Sequence, residues 1–178
     1  MVFTPIERDK VLLPCITLVG MAGAGKSTLG GLLAARLDWG QLDTDRYMES
    51  YYGLTLQGIM DSYGLDDFLR IEEELVSGLN LTRTVISTGG SVIYGDRAVA
   101  RLKELGPVVL LDIDEPTFIK RVGSGENRGL AIGPGKTMVD LYNERLPLYR
   151  KAADLTVRTD RLTPEACVER ILNHIDIQ

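Results

Sequence analysis

The sequence holds a single histidine, His174, close to its C-terminal end. That leaves little material for a histidine-based zinc centre or a catalytic triad. Cysteine is almost as scarce. Cys15 and Cys167 stand far apart, show no CxxC spacing, and each sits among apolar residues. Buried free thiols in a reducing cytosol are the expectation. Long hydrophobic runs are missing too: residues 11–19 and 108–111 are the longest, well below the roughly 20 residues of a membrane span. The first ten residues, MVFTPIERDK, carry charges and no apolar stretch of signal-peptide length. Positive charge is not in excess either. Twenty Lys and Arg against 25 Asp and Glu give a net charge of −5, which argues against non-specific binding to nucleic acid or a membrane surface. No repeat or low-complexity linker divides the 178 residues. The expectation is one cytoplasmic, monomeric domain over residues 1–178 with a small-molecule ligand.

Alternating patterns fill that length. Residues 15–19 form a β-rich run after Pro14 and before Gly20, the signature of a buried strand. Residues 26–37 place Leu29, Leu32, Leu33 and Leu37 at helical spacing. A short strand is expected at 41–43, then helical sequence broken near Gly53 and Gly64. Residues 68–79 read as a helix with Glu72, Glu73 and Glu74 on its polar side. Further strands are expected at 84–88, 108–113 and 155–158, and helices at 96–105, from 115 to 121, and at 137–149, where Pro147 should end or bend the last one. Thr163, Pro164 and Glu165 open the final helix with a hydroxyl cap, a proline at the first position and an acid in the first turn. Strands alternating with helices imply an α/β fold with a parallel sheet covered on both faces.

The strongest chemical signal is GMAGAGKS at residues 20–27, which satisfies G-x-x-x-x-G-K-[ST] between a predicted strand and a predicted helix. Gly23 and Gly25 allow torsions that turn successive backbone N–H groups into one concavity, and the following helix adds its N-terminal dipole. Gly23, Ala24, Gly25, Lys26, Ser27 and Thr28 are therefore the expected nucleotide-binding loop. Lys26 would place a charge near the β- and γ-phosphates of ATP, and Ser27 would offer a hydroxyl to Mg²⁺. The next strand ends in Asp43-Thr44-Asp45. In an extended segment residues i and i+2 face the same way, so both carboxylates should point into the cleft at the carboxyl end of the sheet. Asp43 would serve the metal, and Asp45 would orient or deprotonate an acceptor hydroxyl. The plainer alternative is an acidic turn that caps the next helix.

Residues 123–135, GSGENRGLAIGPG, hold five glycines and a proline and interrupt the alternation. A surface loop is one reading. The other is a lid, spanning about 123–136, that brings Arg128 to the phosphates.

With these motifs in place the chain resembles the shikimate kinase family over nearly its whole length. The likeness rests on GMAGAGKST at 20–28, DTD at 43–45, FLRIEEE at 68–74, STGGSV at 87–92, ENRGL at 126–130 and ERLPLYR at 144–150. It implies a three-layer, P-loop, nucleoside-monophosphate-kinase-like fold with a five-stranded parallel sheet in the order 2-3-1-4-5 and acceptor-binding helices over about 44–80. It implies Lys26, Ser27 and Asp43 around Mg-ATP, Asp45 on the acceptor's hydroxyls, and Gly89 and Gly90 letting the acceptor approach the backbone. Arg145 would meet its carboxylate, Arg121 would lie along the adenine, and Arg128 would reach in from the lid.

Two positions depart from the family pattern. Where it reads G-E-x-x-F-R, this chain reads Gly64-Leu65-Asp66-Asp67-Phe68-Leu69, so Leu69 replaces an arginine that helps hold the acceptor carboxylate. Arg70 is about 100° around the helix and a poor substitute. The third glycine of the family's triplet is Ser91, which narrows the pocket. A lost arginine–carboxylate contact costs on the order of 2–3 kcal/mol. The leading expectation is phosphorylation of shikimate to shikimate 3-phosphate in aromatic amino-acid biosynthesis. A related kinase with another hydroxylated acceptor is the alternative that Leu69 and Ser91 suggest. A nucleotide-binding module without kinase activity, or a nucleoside monophosphate kinase, would fit the fold alone.

Overall fold

The computed structural model describes residues 14–123 and 130–175. Five parallel strands form one sheet: β1 (Ile16–Val19), β2 (Gly40–Asp43), β3 (Thr84–Ser87), β4 (Val108–Asp112) and β5 (Leu155–Arg158). Their order is β2-β3-β1-β4-β5, as the resemblance implied. The central strand β1 is buried at every position and pairs with β3 through Ile16–Val85 and with β4 through Thr17–Val108. A strand covered on both faces can carry the near-continuous apolar run seen here. Among the described residues there are seven α-helices, in chain order α1 (Lys26–Leu37), α2 (Thr44–Tyr52), α3 (Leu56–Ser77), α4 (Asp96–Leu105), α5 (Glu115–Val122), α6 (Met138–Ala152) and α7 (Pro164–Leu172). Helix α1 packs against β3 and α7, while α3 packs on α4 and α6 reaches β4.

Local chemistry explains the helix boundaries. Gly53 takes a left-handed conformation to end α2, and Thr55 caps α3 through its side chain. Gly64, with φ 81° and ψ 170°, leaves helical geometry and divides α3 into two helical stretches across a kink, the interruption expected there. Thr163 caps α7 by accepting from the Ala166 N–H, with Pro164 next. Pro147 does not end α6, which runs on to Ala152. Both Pro147 and Asn143, the residue four earlier whose carbonyl loses a donor, are exposed. Water can serve that carbonyl, while Leu141, Tyr142, Arg145, Tyr149 and Ala152 hold the opposite face in the core.

Most apolar side chains join one core around the sheet. A second, smaller cluster of Met48, Ile59, Phe68, Ile71 and Ala131 lies under α2 and α3, with Leu69 partly buried against it. Cys15 and Cys167 are buried free thiols, and burial pushes both above their ordinary pKa. Among the described residues no helix is long and apolar enough to cross a membrane.

Candidate active site

The turn after β1 is built by positive φ angles at Gly23 (74°) and Gly25 (94°), and Gly25 is the N-cap of α1 with no side chain to cover the helix end. The first N–H groups of α1 are thereby left for a ligand, in the manner of an anion site. Lys26 folds back across the loop and donates to the carbonyls of Gly20 (2.8 Å) and Met21 (2.9 Å). Its ammonium is desolvated, which lowers its pKa to about 8, against the opposing pull of Asp45. Arg121, on α5, donates to the Gly23 carbonyl at 2.9 Å and so lies along the outside of the loop. It lines a cleft of about 280 Å³ with Ala24, Gly25, Thr28, Thr159 and Leu162. Thr159 also ties the loop after β5 to the P-loop by donating to the Ala24 carbonyl at 2.9 Å. Sequence reading gave no reason to single out Thr159 or Leu162, since neither belongs to a motif with chemistry of its own.

The two aspartates reach the same cleft by a route other than the one expected. Asp43 is the last residue of β2, but Asp45 stands in the first turn of α2, so the pair does not share one extended segment. Asp43 divides its oxygens. Its Oδ1 accepts from the N–H groups of Asp45 (3.1 Å) and Arg46 (3.3 Å), capping α2, and its Oδ2 accepts from the Ser27 hydroxyl at 2.7 Å. It is a helix cap and the neighbour of the P-loop serine at once. Two hard oxygen ligands, one from each side of the cleft, suit Mg²⁺, which keeps waters and takes further oxygens from phosphates. No cluster of three His, Cys, Asp or Glu exists among the described residues, so a metal caged wholly by protein is not what is built here. Asp45 is turned inward, and burial lifts its carboxyl to about 6 in spite of Lys26.

Beside Lys26 and Asp45 opens a cavity of about 150 Å³, walled by Ala22, Leu56, Phe68, Gly90, Ser91, Leu130, Ala131 and Arg145. Arg145 is 2% exposed and fully sequestered by α6. A Cβ added to Gly90 would stand 3.0 Å from its Nη1, so the missing side chain there makes room for the guanidinium. The Gly89 N–H is fixed by donating to Thr44 Oγ1 at 2.9 Å. Ser91 is buried in the wall, as its replacement of a glycine predicts.

Glu72 departs from expectation. Rather than lying on the polar side of α3, it is 3% exposed, and neither carboxyl oxygen has a hydrogen-bond partner. The Ser91 hydroxyl is close enough to ease its ionisation but makes no well-formed hydrogen bond, and burial lifts Glu72 to about 7. The run of three glutamates concealed it: two residues, about 200° around the helix, separate buried Glu72 from exposed Glu74. The kink at Gly64 and the packing of α3 on α4 and α2 decide which of the three faces inward.

Leu69 does not line the cavity. It packs on the smaller apolar cluster, and Arg70 points away, exposed and bonded to Asp67 and Glu74. No second arginine from α3 reaches the acceptor cavity among the described residues. Of the expected lid, Gly123 and residues 130–136 are described; Arg128 lies outside the described residues.

Comparison with known proteins now decides the family. The shikimate kinase family model matches residues 22–176. A shikimate kinase of Chromohalobacter salexigens is 39% identical over 163 residues, covering 90% of this chain and 91% of the relative. One from Thermodesulfovibrio yellowstonii is 34% identical over 90% of this chain and 94% of its own length. The chain belongs to the shikimate kinase family. Among solved structures, the shikimate kinase of Acinetobacter baumannii in complex with shikimate is 30% identical with a TM-score of 0.78, covering 90% of this chain and 92% of that one. The Aquifex aeolicus shikimate kinase gives 31% and 0.76, with 89% and 94% covered. Shikimate kinases are ATP- and Mg²⁺-dependent transferases, and the P-loop, Ser27 and Asp43 fit both requirements. A sugar kinase from Janibacter, 15% identical with a TM-score of 0.56, shares the fold.

Proposed function

We propose that this chain transfers the γ-phosphoryl group of ATP to a hydroxyl of shikimate, giving shikimate 3-phosphate for aromatic amino-acid biosynthesis. The observation that carries the reading is the cavity of about 150 Å³ in which Lys26 and Asp45 meet Gly90 and Arg145. A phosphate-handling lysine, a carboxylate able to accept a hydroxyl proton and a buried guanidinium for a carboxylate are the three groups that a hydroxylated acid requires beside ATP.

In this reading the N–H groups from Gly23 to Thr28 hold the phosphates, and Lys26 leaves the Gly20 and Met21 carbonyls to meet the transferring group. Mg²⁺ bound at Ser27 and Asp43 would neutralise charge on the β- and γ-oxygens. Asp45 orients the acceptor hydroxyl and takes its proton; with a carboxyl near 6 it is ionised at neutral pH yet a better base than an ordinary aspartate. Gly89 and Gly90 admit the acceptor to the backbone, and Arg145 binds its carboxylate. Arg121 flanks the nucleotide. Arg128, carried on a lid over about 123–136, would add charge as the phosphoryl group transfers. The protein would work as a single-domain monomer in the cytoplasm, with no nucleic-acid or membrane partner.

The test is a coupled ADP-release assay with Mg-ATP against shikimate and a panel of polyol and sugar acids, with the product read by phosphorus NMR. Shikimate should be preferred by at least about a hundredfold in kcat/KM, and Lys26→Ala should lose most of the turnover. Turnover on another acid with none on shikimate would overturn the acceptor assignment while leaving the phosphotransferase. ATP binding without turnover on any acceptor would leave only a nucleotide-binding module.

A further inference from the structure

We propose that Tyr94, Glu144 and Lys136 form a chain of positioning residues that holds Arg145 and its charge ready for the acceptor carboxylate. The proposal rests on the reading of Arg145 as the carboxylate-binding residue.

Arg145 carries five N–H donors in a rigid fork, and the fork is already anchored at its back. Its Nε donates to the Tyr94 hydroxyl at 3.2 Å, and its Nη2 donates to the Ala131 carbonyl at 2.5 Å. Its guanidinium carbon also stands 5.1 Å from the centre of the Tyr94 ring, a cation–π approach. Its Nη1 faces Gly90, beside the Tyr149 hydroxyl. Arg145 thus turns Nη1 to the cavity wall at Gly90 while its Nε and Nη2 are fixed behind it.

Tyr94 can accept from Arg145 only because its own proton has another destination. Its hydroxyl donates to Glu144 Oε1 at 2.7 Å. Glu144 is the residue before Arg145 on α6, but its side chain turns to the solvent side of Tyr94 and there meets the ammonium of Lys136. The resulting order is guanidinium, phenol, carboxylate, ammonium. The proton positions are set by it: Lys136 pairing holds the Glu144 carboxyl below its usual pKa, so Glu144 stays an acceptor, and the phenol stays protonated.

The charges matter as much as the geometry. Glu144 is an anion next in sequence to a cation that must attract an anionic ligand, and it feels the charge of Arg145. Unpaired, it would draw on the potential of Arg145 and weaken carboxylate binding. Lys136 cancels it. Because Arg145 is the one arginine lining the acceptor cavity among the described residues, with Leu69 packed elsewhere, the quality of that contact weighs heavily on acceptor affinity. Lys136 and Ala131 also belong to one segment, so residues 131–136 are tied to Arg145 at both ends, through a backbone carbonyl and through the Glu144–Tyr94 link.

The experiment is steady-state kinetics with Mg-ATP and shikimate on Tyr94→Phe, Lys136→Met, Glu144→Gln and the Lys136→Met/Glu144→Gln double variant, with Arg145→Met as reference. Tyr94→Phe keeps the ring over the guanidinium and removes both hydrogen bonds. It should raise the KM for shikimate by about tenfold and leave the KM for ATP within twofold. Lys136→Met should raise the shikimate KM by about threefold, and adding Glu144→Gln should recover part of that loss, because the uncancelled anion is gone. A role in folding alone cannot produce recovery by a second substitution with ATP binding unchanged. If Arg145→Met raises the shikimate KM but Tyr94→Phe leaves it within twofold, the positioning chain is wrong and the carboxylate reading stands. If Arg145→Met itself leaves the shikimate KM unchanged, the carboxylate reading fails and the chain fails with it. Equal losses for shikimate and ATP in Tyr94→Phe would also overturn it.

Discussion

Gly89 and Glu72 touch where no side chain fits between them: a Cβ on Gly89 would lie 2.4 Å from Glu72 Oε1 and 2.5 Å from Asp45 Oδ1. The bare backbone at Gly89 is what lets two carboxylates face each other across the cleft. The atoms in the way are ends of side chains, which can swing aside. At Gly106 the same Cβ would meet the backbone carbonyl of Cys15 at 2.1 Å, and nothing there can move cheaply. Gly89→Ala should therefore fold, at a cost of about 1–2 kcal/mol, but with both carboxylates displaced it should lose at least about tenfold in kcat/KM for the acceptor. Gly106→Ala should be much the more destabilising of the two. Urea denaturation beside kinetics separates the cases. Full activity in Gly89→Ala would mean that the carboxylate positions are not needed.

Glu72 makes stability depend on pH in the direction opposite to a salt-bridged acid. Burial lifts its carboxyl from 4.5 to about 7. Between those values the native chain keeps a proton that the unfolded chain has released, so stability falls as pH rises through the window. The penalty is absent below about pH 4.5 and complete above about pH 7, where it amounts to roughly 3 kcal/mol. Glu72→Gln removes the titration. Its stability relative to the parent should rise by about that amount from pH 4.5 to pH 8, measured by denaturant midpoints at fixed salt. The same difference at both pH values would count against a buried, unpartnered carboxyl.

The division of labour between Asp43 and Asp45 is also measurable. Asp43→Asn keeps an oxygen for the cap of α2 but removes the charge beside Ser27. It should raise the Mg²⁺ concentration for half-maximal rate by about tenfold and regain turnover when Mg²⁺ is abundant. Asp45→Asn should lower kcat by about 10²–10⁴ with little change in the KM for ATP, and added Mg²⁺ should not restore it. Rescue of the Asp45 variant by Mg²⁺, with none for Asp43, would exchange the roles.

Much of this was legible in the residues. The P-loop is a local structure whose sequence, strand before and helix after all reinforce one another, so its geometry follows from a stretch of eight residues. The strand order is a longer-range matter, and only the family resemblance supplied it. Asp43 and Asp45 were found through a mistaken geometry: the strand stops at Asp43 because that side chain caps the helix, and the helix then carries Asp45 into the cleft. Asp43 does cap α2, and its other oxygen accepts from the Ser27 hydroxyl. What composition and spacing could not give was the burial of Glu72 among three glutamates, since which one turns inward depends on the kink at Gly64 and the packing of α3 on α4. The link from Lys136 to Arg145 was equally hidden, because it joins residues from three elements with no common motif.

Leu69→Arg is the substitution that tests the acceptor cavity most directly. Leu69 contributes apolar contact to the small cluster around Phe68 and Ile71, so its replacement costs packing, on the order of 1–2 kcal/mol. Against that, residue 69 stands one turn before Glu72, the spacing at which side chains on a helix meet. A guanidinium there would give the unpartnered carboxylate a partner and bring a second arginine toward the cavity that Arg145 lines. Two consequences follow from one charge. The Glu72 carboxyl should fall from about 7 toward its ordinary range, which shrinks the pH dependence of stability described above. The shikimate carboxylate should gain a second arginine beside Arg145, lowering its KM by about tenfold for each 1.4 kcal/mol recovered. The two readouts are independent, since one is taken by denaturation and the other by kinetics. If the pH dependence shrinks while the KM stays fixed or rises, the arginine is spent on Glu72 and the parent site already binds shikimate by other means. If a parent enzyme inactive on shikimate gains turnover, Leu69 had selected a different acceptor. A parent KM already in the low micromolar range, with full turnover, would refute any impairment by Leu69.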